Sequence, residues 1–369
     1  MIKAASASAR ATGPEAEETR GPADDSPLYA ALDLGTNNCR LLIAARHARG
    51  FRIVDAYSRI VRLGEGVSAS GRLGEAAMER ALGALSVCAD KIRRRGVAKV
   101  RAVATQACRS AENGDAFIAA VAARTGLKLE VISPGEEAQL AVAGCLDLLD
   151  HQCRAALVLD VGGGSTELSW IDLSEPGLSV APRRLAHRRL PIKAWQSTPI
   201  GVVTLAERFP DVGAGDASGY RGMVEAVKEA IGSCADAAVF REVFAAGQAH
   251  IVGTSGAITS LAGLHLGLRR YDRAKVDGLW MTRAECEAVA ARLMALSIAQ
   301  RAAEPCVGPD RADLVLAGAA ILQAVQELWP SERVRVADRG LREGLLLSLM
   351  ASGRAGRRRR RGGRGNGRA

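Results

Sequence analysis

The segment LDLGTNNCRL at residues 32–41 returns in altered form as LDVGGGSTEL at residues 159–168. The offset is constant at 127 positions, so Asp33 aligns with Asp160 and Gly35 aligns with Gly162. Each copy consists of an apolar run, a glycine turn and a second apolar run, which is typical of a β-hairpin. Two related hairpins of this kind predict two related domains that face one another across a cleft.

The sequence around the hairpins alternates between strand and helix patterns. Beyond the first hairpin, we predict a strand at 51–57, a helix at 74–96, a strand at 99–105, a helix at 115–124, a strand at 129–132 and a helix from residue 135. This alternation is typical of an α/β layer fold. We therefore predict a first domain at residues 28–135, completed by a C-terminal helix at 340–351, and a second domain at 136–339.

The composition indicates a globular protein. The chain of 369 residues is 48% hydrophobic and only 4% aromatic, which predicts a core of alanine, valine, leucine and isoleucine. It contains no apolar run long enough to span a membrane, and its first residues lack the apolar stretch of a signal peptide. We therefore expect a cytoplasmic protein without membrane contact.

Both ends of the chain differ from the middle in composition. Residues 1–27 are rich in alanine, serine, proline, glycine and acids, which predicts a disordered leader. Residues 352–369 form an Arg/Gly-rich segment that we also expect to be disordered. The net charge of the chain is +10, and eight arginines in the last sixteen residues supply a large part of it. This tail either keeps the protein in solution or binds a polyanion, such as nucleic acid or polyphosphate.

The glycine turns of the two hairpins suit phosphate chemistry. Glycine lets successive backbone N–H groups point at one ligand, and such nests bind phosphate oxygens. Aspartates beside the turns are able to orient a metal ion or its bound water. The candidate phosphate-binding residues are Asp33, Gly35, Thr36, Asn37 and Asn38 in the first turn, and Gly162, Gly163, Gly164, Ser165 and Thr166 in the second.

Both turns resemble the phosphate loops of the Ppx/GppA family of exopolyphosphatases and guanosine pentaphosphatases. Further segments match in order, among them RLGEG (62–66), ATQACRSAEN (104–113), GEEAQL (135–140), GTSGAITSLAGL (253–264) and ADRGLREGLLL (337–347). The resemblance covers roughly residues 28–350. It implies a two-domain actin-like fold of the actin, sugar kinase and Hsp70 superfamily, which is ribonuclease H-like, with an interdomain cleft.

The same resemblance implies an activity and its partners. The substrate would be inorganic polyphosphate or a guanosine penta- or tetraphosphate, and water would remove a terminal phosphate with the help of Mg²⁺ or Mn²⁺. A homodimer is common in the family. The chain looks like the short form of the family, without the C-terminal HD-like domain of longer members.

The resemblance also assigns roles to individual residues. Glu137 is similar to the family glutamate that activates the attacking water, and Glu136 is expected to support it. Arg109 matches an arginine near the phosphate site and is, with Glu137, a predicted catalytic residue that binds phosphate oxygens. Asp160 and Glu167 match acids that suit Mg²⁺ and are the predicted metal ligands. From the residues alone, an acid that simply stabilises the first helical turn is the favoured interpretation of Glu137. A surface salt bridge is the alternative interpretation of Arg109.

The sequence departs from the family pattern in the first turn. Relatives usually have serine at the positions of Thr36 and Asn38. Both residues keep hydrogen-bonding groups, so we still expect this turn to bind phosphate.

Other interpretations stay open at this stage. An ATP-dependent kinase of the same superfamily is one alternative, and a protein that senses ppGpp or binds nucleic acid without turnover is another. The segment GTSGAITSLAGL either seats a guanine nucleotide or packs a helix on a sheet. The sequence does not separate polyphosphate from pppGpp as the substrate.

Overall fold

The structure is a computed structural model that describes residues 26–47, 50–174, 190–210, 212–232 and 234–362, with side chains up to residue 351. Nearly all of the predicted leader therefore lies outside the described residues, as do the side chains of the predicted tail. The strands are β1 (Leu28–Leu34), β2 (Asn38–His47), β3 (Gly50–Ile60), β4 (Lys99–Ala104), β5 (Leu129–Val131), β6 (Ala155–Val161), β7 (Thr166–Asp172), β8 (Ile192–Thr198), β9 (Ala249–Thr254), β10 (Trp280–Thr282) and β11 (Arg333–Ala337).

The helices follow the predicted alternation and add several short turns. They are α1 (Val67–Ser70), α2 (Glu75–Arg94), α3 (Gln106–Ser110), α4 (Gly114–Thr125), α5 (Pro134–Cys145), α6 (Val202–Arg208), α7 (Ala217–Ile231), α8 (Arg241–Ala245), α9 (Ser255–His265), α10 (Arg273–Val276), α11 (Arg283–Ala295), α12 (Ile298–Ala303), α13 (Val315–Leu328) and α14 (Leu341–Gly362). None of these helices combines the length and the apolar character that a membrane crossing requires.

The described strands form two sheets with the same core topology. The first sheet has the order β3-β2-β1-β4-β5, in which β1 pairs antiparallel with β2 and parallel with β4. The second has the order β10-β11-β9-β6-β7-β8, in which β6 pairs antiparallel with β7 and parallel with β9. The two hairpins thus open two equivalent α/β units. The prediction of a two-domain actin-like fold is confirmed.

Helix α5 joins the two sheets. Its Leu140 packs with Leu345 and Leu346 of α14 against the first sheet. Its Val142 and Cys145 pack against the second sheet. The N-terminus of α5, which carries Glu136 and Glu137, therefore has a fixed position between the two halves of the molecule.

Helices α5 and α14 cross at very short range because glycines form the contact. A Cβ atom added at Gly144 would lie 2.0 Å from the carbonyl oxygen of Gly340, and one added at Gly344 would lie 2.1 Å from that of Leu140. Side chains at these positions would force the helices apart. The close crossing brings the ADRGLREG segment to the edge of the central cleft.

The last helix continues past the predicted end at residue 351. Its backbone runs to Gly362, into the segment for which the sequence predicts disorder, and arginine is a good helix former. The domain limits, the leader and the tail stay predictions.

Candidate active site between the two hairpin loops

The two hairpin turns have the same local geometry. In the first turn, the N–H of Gly35 donates to the carbonyl of Asn38 at 2.9 Å. In the second, the N–H of Gly162 donates to the carbonyl of Ser165, also at 2.9 Å. These four residues are related by the offset of 127 positions, so the repeat in the sequence is a repeat in the structure. We call the two turns loop 1 (residues 35–38) and loop 2 (residues 162–165).

The two loops meet at the floor of the cleft. A Cβ atom added at Gly163 would lie 3.0 Å from Cβ of Thr36, and one added at Gly164 would lie 2.7 Å from Oγ1 of Thr36. Glycine is needed in loop 2 because loop 1 approaches so closely, in addition to any contact with a ligand. The repeat therefore places both loops at a single site.

Other segments hold the loops from behind. The carbonyl of Asn37 accepts from the N–H groups of Val61 and Arg62 at 2.8 and 3.1 Å. The carbonyl of Gly162 accepts from the N–H of Val202, the first residue of α6, at 3.0 Å. Because these carbonyls are paired with protein groups, each loop keeps its shape without a ligand.

A cleft with about 1040 Å³ of space, including its open mouth, lies above the loops. Two buried side-chain oxygens, Oδ1 of Asn37 and Oδ1 of Asn38, have no hydrogen-bond partner in the described structure. They are available to a water or to a ligand that donates. The predicted site residues that line the cleft are Asp33, Gly35, Thr36, Asn37, Asn38, Glu137, Asp160, Gly162, Gly163, Gly164 and Ser165.

Three predicted site residues lie outside this lining. Thr166 is fully buried, and its hydroxyl donates to the carbonyl of Ile200 at 2.6 Å. Glu167 is also buried and accepts from the hydroxyl of Ser197 at 2.9 Å. Arg109 lies behind Glu137. The sequence repeat does not reveal these inward orientations, because they depend on the neighbouring strand and loop.

Glu137 and Arg109 are paired at the base of the cleft. Arg109 donates to Glu137 at 3.3 Å, and its other bonds go to the carbonyl of Ile132 at 2.7 Å and to Gln106 at 2.7 Å. Glu137 is only 8% exposed. Burial and the nearby Glu167 raise the pKa of Glu137 well above its usual value, and Arg109 partly opposes this shift. Arg109 is therefore a largely buried ion-pair partner of Glu137 and does not form a surface salt bridge.

Glu136 has different surroundings. It binds Arg101 at 2.6 Å, and its side chain is 40% exposed. Arg101 also binds Glu130. Glu136 does not line the cleft, so the structure gives it no direct contact with a ligand there.

Burial raises the pKa of the acids in and beside the cleft. Burial raises the pKa of Asp160 to about 7, with added contributions from Glu167 and Asp33. Burial also raises the pKa of Asp33, although Arg40 opposes this. The pKa of Glu167 is raised by burial, against hydrogen bonds from Ser165 and Ser197. Such a group of buried acids favours the approach of a cation.

Arginines that the sequence reasoning did not identify also line the cleft. They are Arg40, Arg311, Arg339 and Arg342. Burial, followed by the nearby Arg342, lowers the pKa of Arg40. The sequence repeat could have indicated Arg40, because this residue lies in the first hairpin at the position equivalent to Glu167. It also pairs in register with Asp33. This side of the cleft therefore suits anions.

The GTSGAITSLAGL segment contributes to the cleft as well. Thr254, Ser255 and Gly256 line it, and Ser255 has a φ of 97°, in a region that non-glycine residues rarely adopt. A Cβ atom at Gly256 would lie 2.9 Å from Nη2 of Arg40. The segment therefore packs closely and also faces the site.

Comparisons with known proteins identify the family of this chain. The sequence pattern of the Ppx/GppA phosphatase family matches residues 42–353. Exopolyphosphatase 2 of Mycobacterium tuberculosis is 33% identical over 337 residues, which cover 87% of this chain and 98% of that protein. Guanosine-5'-triphosphate,3'-diphosphate pyrophosphatase of Aeromonas hydrophila is 29% identical over 329 residues, covering 89% of this chain but 60% of that protein.

A solved structure extends the likeness to three dimensions. The Aquifex aeolicus PPX-GPPA enzyme is 28% identical with a TM-score of 0.68, and the match covers 87% of this chain and 99% of that one. Sequence and fold therefore agree along most of the chain. The protein belongs to the Ppx/GppA phosphatase family.

Proposed function

We propose that the protein is a phosphoanhydride hydrolase that removes a terminal phosphate from inorganic polyphosphate, from pppGpp, or from both. The main observation in support is the meeting of two equivalent glycine loops below a buried glutamate and several arginines. Family membership supports hydrolysis over transfer to an acceptor, as in kinases. The names of the relatives, an exopolyphosphatase and a guanosine nucleotide pyrophosphatase, support the two substrates.

The residues of the cleft suggest how the reaction proceeds. Backbone N–H groups of the two loops bind oxygens of the terminal phosphate, and the arginines offset the charge of the remaining chain. A water molecule attacks the terminal phosphorus, Glu137 accepts its proton, and the anhydride P–O bond breaks. The leaving oxygen stays on the shortened chain. Arg109 acts through Glu137, so we regard it as a positioning residue.

We also propose that Mg²⁺ or Mn²⁺ binds in the cleft. Within the described residues, no three acidic, histidine or cysteine side chains lie close enough together to hold a metal by themselves. Mg²⁺ commonly needs only one or two carboxylates, together with water and substrate phosphates, so the residues present are compatible with it. Asp160 would be a ligand, with Glu167 behind it. The bound metal would neutralise phosphate charge and orient the scissile group.

Further expectations from the sequence remain proposals. We propose a cytoplasmic location and a homodimer, and we propose that the arginine-rich tail contacts a polyanion. The proposed location rests on the sequence, and the proposed homodimer rests on what is common in the family. The proposed contact of the tail rests on the charge of residues 354–368.

Phosphate release tests the proposed activity. We expect the protein to release phosphate from long-chain polyphosphate or pppGpp with Mg²⁺, and Glu137→Gln to lower kcat by about 10²- to 10⁴-fold. Glu136→Gln is the matched control, because it changes the neighbouring acid outside the cleft and should keep most of the activity.

Other outcomes point to other functions. Equal rates for wild type and Glu137→Gln would contradict the mechanism. Transfer of phosphate from ATP to an acceptor would favour a kinase. Tight binding of ppGpp with no release from any substrate would favour a sensor.

A further inference from the structure

A second pocket lies beside the cleft, and Leu314 lines both cavities. This pocket encloses about 270 Å³, which is enough space for a small organic molecule. Its walls are largely apolar. The apolar residues include Val203, Phe209, Pro210, Val212, Met223 and Ile298.

An unpaired arginine also lines this pocket. Arg301 is only 2% exposed, and its Nε donates to the carbonyl of Leu293 at 2.9 Å. Its Nη2 has no hydrogen-bond partner, and no ion pair of Arg301 occurs among the described residues. Buried charges in proteins are normally paired with an opposite charge. Arg301 therefore has binding capacity that the protein itself does not use.

The bond to Leu293 gives Arg301 one structural role. That carbonyl lies in the last turn of α11 and also accepts from the N–H of Leu296. Arginine side chains often bind the last carbonyls of a helix. This role uses Nε only. It does not account for Nη2, which is the atom left without a partner.

The other charged groups of the pocket already have partners. Arg62 binds Asp313 at 2.8 Å, and Glu65 binds Arg80 at 2.7 Å. Glu207 accepts from a backbone N–H at 2.9 Å. Three carboxylates thus surround the pocket, and they disfavour a ligand with several negative charges. A single negative charge matches the one unpaired guanidinium.

We propose that this pocket is a second binding site, which takes a small molecule with one carboxylate on a compact apolar body. The carboxylate accepts hydrogen bonds from the guanidinium of Arg301, and the apolar body packs against the walls. Residues of both α/β units line the pocket, so its ligand contacts both. The proposal is independent of the phosphatase activity.

Calorimetric titration of the full chain with sodium benzoate tests the proposal. Benzyl alcohol is the control ligand, because it has nearly the same size and no charge. We expect saturable binding of benzoate to one site at millimolar concentration, and binding of benzyl alcohol at least about tenfold weaker. Absence of saturable benzoate binding to wild type would overturn the proposal.

Three variants show whether benzoate binds in this pocket. Arg301→Met removes the cation, and Ile298→Trp fills the pocket from a side chain that is already 48% exposed. Both should weaken benzoate binding at least about tenfold, since one loses the charge and the other the space. Arg292→Met, which removes an arginine paired with Glu304 outside the pocket, should leave binding unchanged.

Each of the two pocket variants, Arg301→Met and Ile298→Trp, tests the proposal without the other. If Arg301→Met does not fold, Ile298→Trp alone decides, because its change lies at an exposed position. If Ile298→Trp leaves benzoate binding unchanged, benzoate binds elsewhere on the protein, for instance at the cleft arginines. That result would overturn the proposal.

Discussion

At the scale of single residues, two adjacent glutamates show how packing assigns roles. Glu136 and Glu137 both lie in the first turn of α5, whose N-cap is Ser133. Glu136 faces Arg101 at the surface, whereas Glu137 faces Arg109 in the cleft. Their types and their places in the chain are almost the same. The direction in which α5 packs between the sheets makes Glu137 the candidate base.

The pair of Arg109 and Glu137 leads to a prediction about pH. Because the Arg109 cation favours the ionised form of Glu137, Arg109→Met should raise the pKa of Glu137 further. A base has to lose its proton before it acts, so the rising limb of the pH–rate profile should move to higher pH. We also expect kcat near neutral pH to fall by about tenfold or more. Phosphate release across a pH series measures both effects.

Matched variants separate positioning from general damage. Arg109→Lys keeps the charge and should restore much of the pH profile. Arg101→Met removes an arginine that binds Glu136, and it should leave the profile in place. A profile that Arg109→Met does not move would contradict the assigned role.

At the scale of elements, glycines set the distance between α5 and α14. We expect Gly144→Ala to lower the free energy of unfolding by about 1 to 3 kcal/mol, because the new methyl group would meet a backbone carbonyl at 2.0 Å. Activity should fall too, since α5 carries Glu137 and α14 begins beside Arg339. Urea unfolding and phosphate release are the measurements.

Gly83→Ala is the control for helix propensity. Gly83 lies inside α2, and a Cβ atom there would meet nothing within 4 Å. This change should raise the free energy of unfolding by about 0.5 to 1 kcal/mol. If both alanine variants gained stability, the close crossing of α5 and α14 would not be the constraint we describe.

Helices α7 and α13 are joined by Glu327, which accepts from Arg221 at 2.8 Å and from Lys228 at 3.0 Å. Burial raises the pKa of Glu327, but hydrogen bonds from Gln323, Arg221 and Lys228 outweigh it and lower the pKa to about 2. A depressed pKa stabilises the fold above the ordinary value of 4.5, and this contribution is lost as the pH falls towards 2.

Glu327→Gln should therefore be less stable than wild type at pH 7, by about 1 to 2 kcal/mol. The difference should narrow as the pH falls below 4.5. Urea unfolding at pH 7, 5 and 4 follows it. Glu225→Gln, which changes a more exposed acid on the same network, should have a much smaller effect. A difference that stays constant from pH 7 to pH 4 would show that the charge is not responsible.

At the scale of the whole molecule, the two α/β units are tied together at and near the site. Loop 1 touches loop 2, and Arg62 from one unit binds Asp313 from the other. Helix α5 packs on both sheets. The catalytic geometry that we propose therefore depends on the relative placement of both halves.

The arginine-rich tail leads to a prediction about the whole chain and a long substrate. Replacing the five arginines at 357–361 with glutamine should raise KM for long-chain polyphosphate by about tenfold at low salt and leave kcat on pppGpp nearly unchanged. The salt dependence of KM should also become weaker. KM measured at several salt concentrations provides the test. Equal KM values in both proteins would contradict substrate binding by the tail and would favour its role as a solubilising segment.

The sequence by itself determined much of the fold and one half of the site. Period-two and helical patterns predicted the strands of both hairpins and the main strands and helices of the first unit, because local packing on one face imposes those periods. Most helices of the second unit were not predicted. The repeat of the glycine hairpins predicted two equivalent units and their phosphate loops. Glycines mark such turns in the sequence, because few other residues allow the backbone to turn so close to another segment of backbone.

Only the tertiary structure decided which side chains meet. It turned Thr166 towards Ile200, directed Glu136 towards Arg101, and brought Arg311 and Arg342 to the same cleft as loop 1. It also left Nη2 of Arg301 buried without a hydrogen-bond partner beside an apolar pocket. These contacts join residues far apart in the chain, and their geometry follows from how helices and sheets pack. A periodic pattern in one segment contains no information about the opposite wall of a cleft.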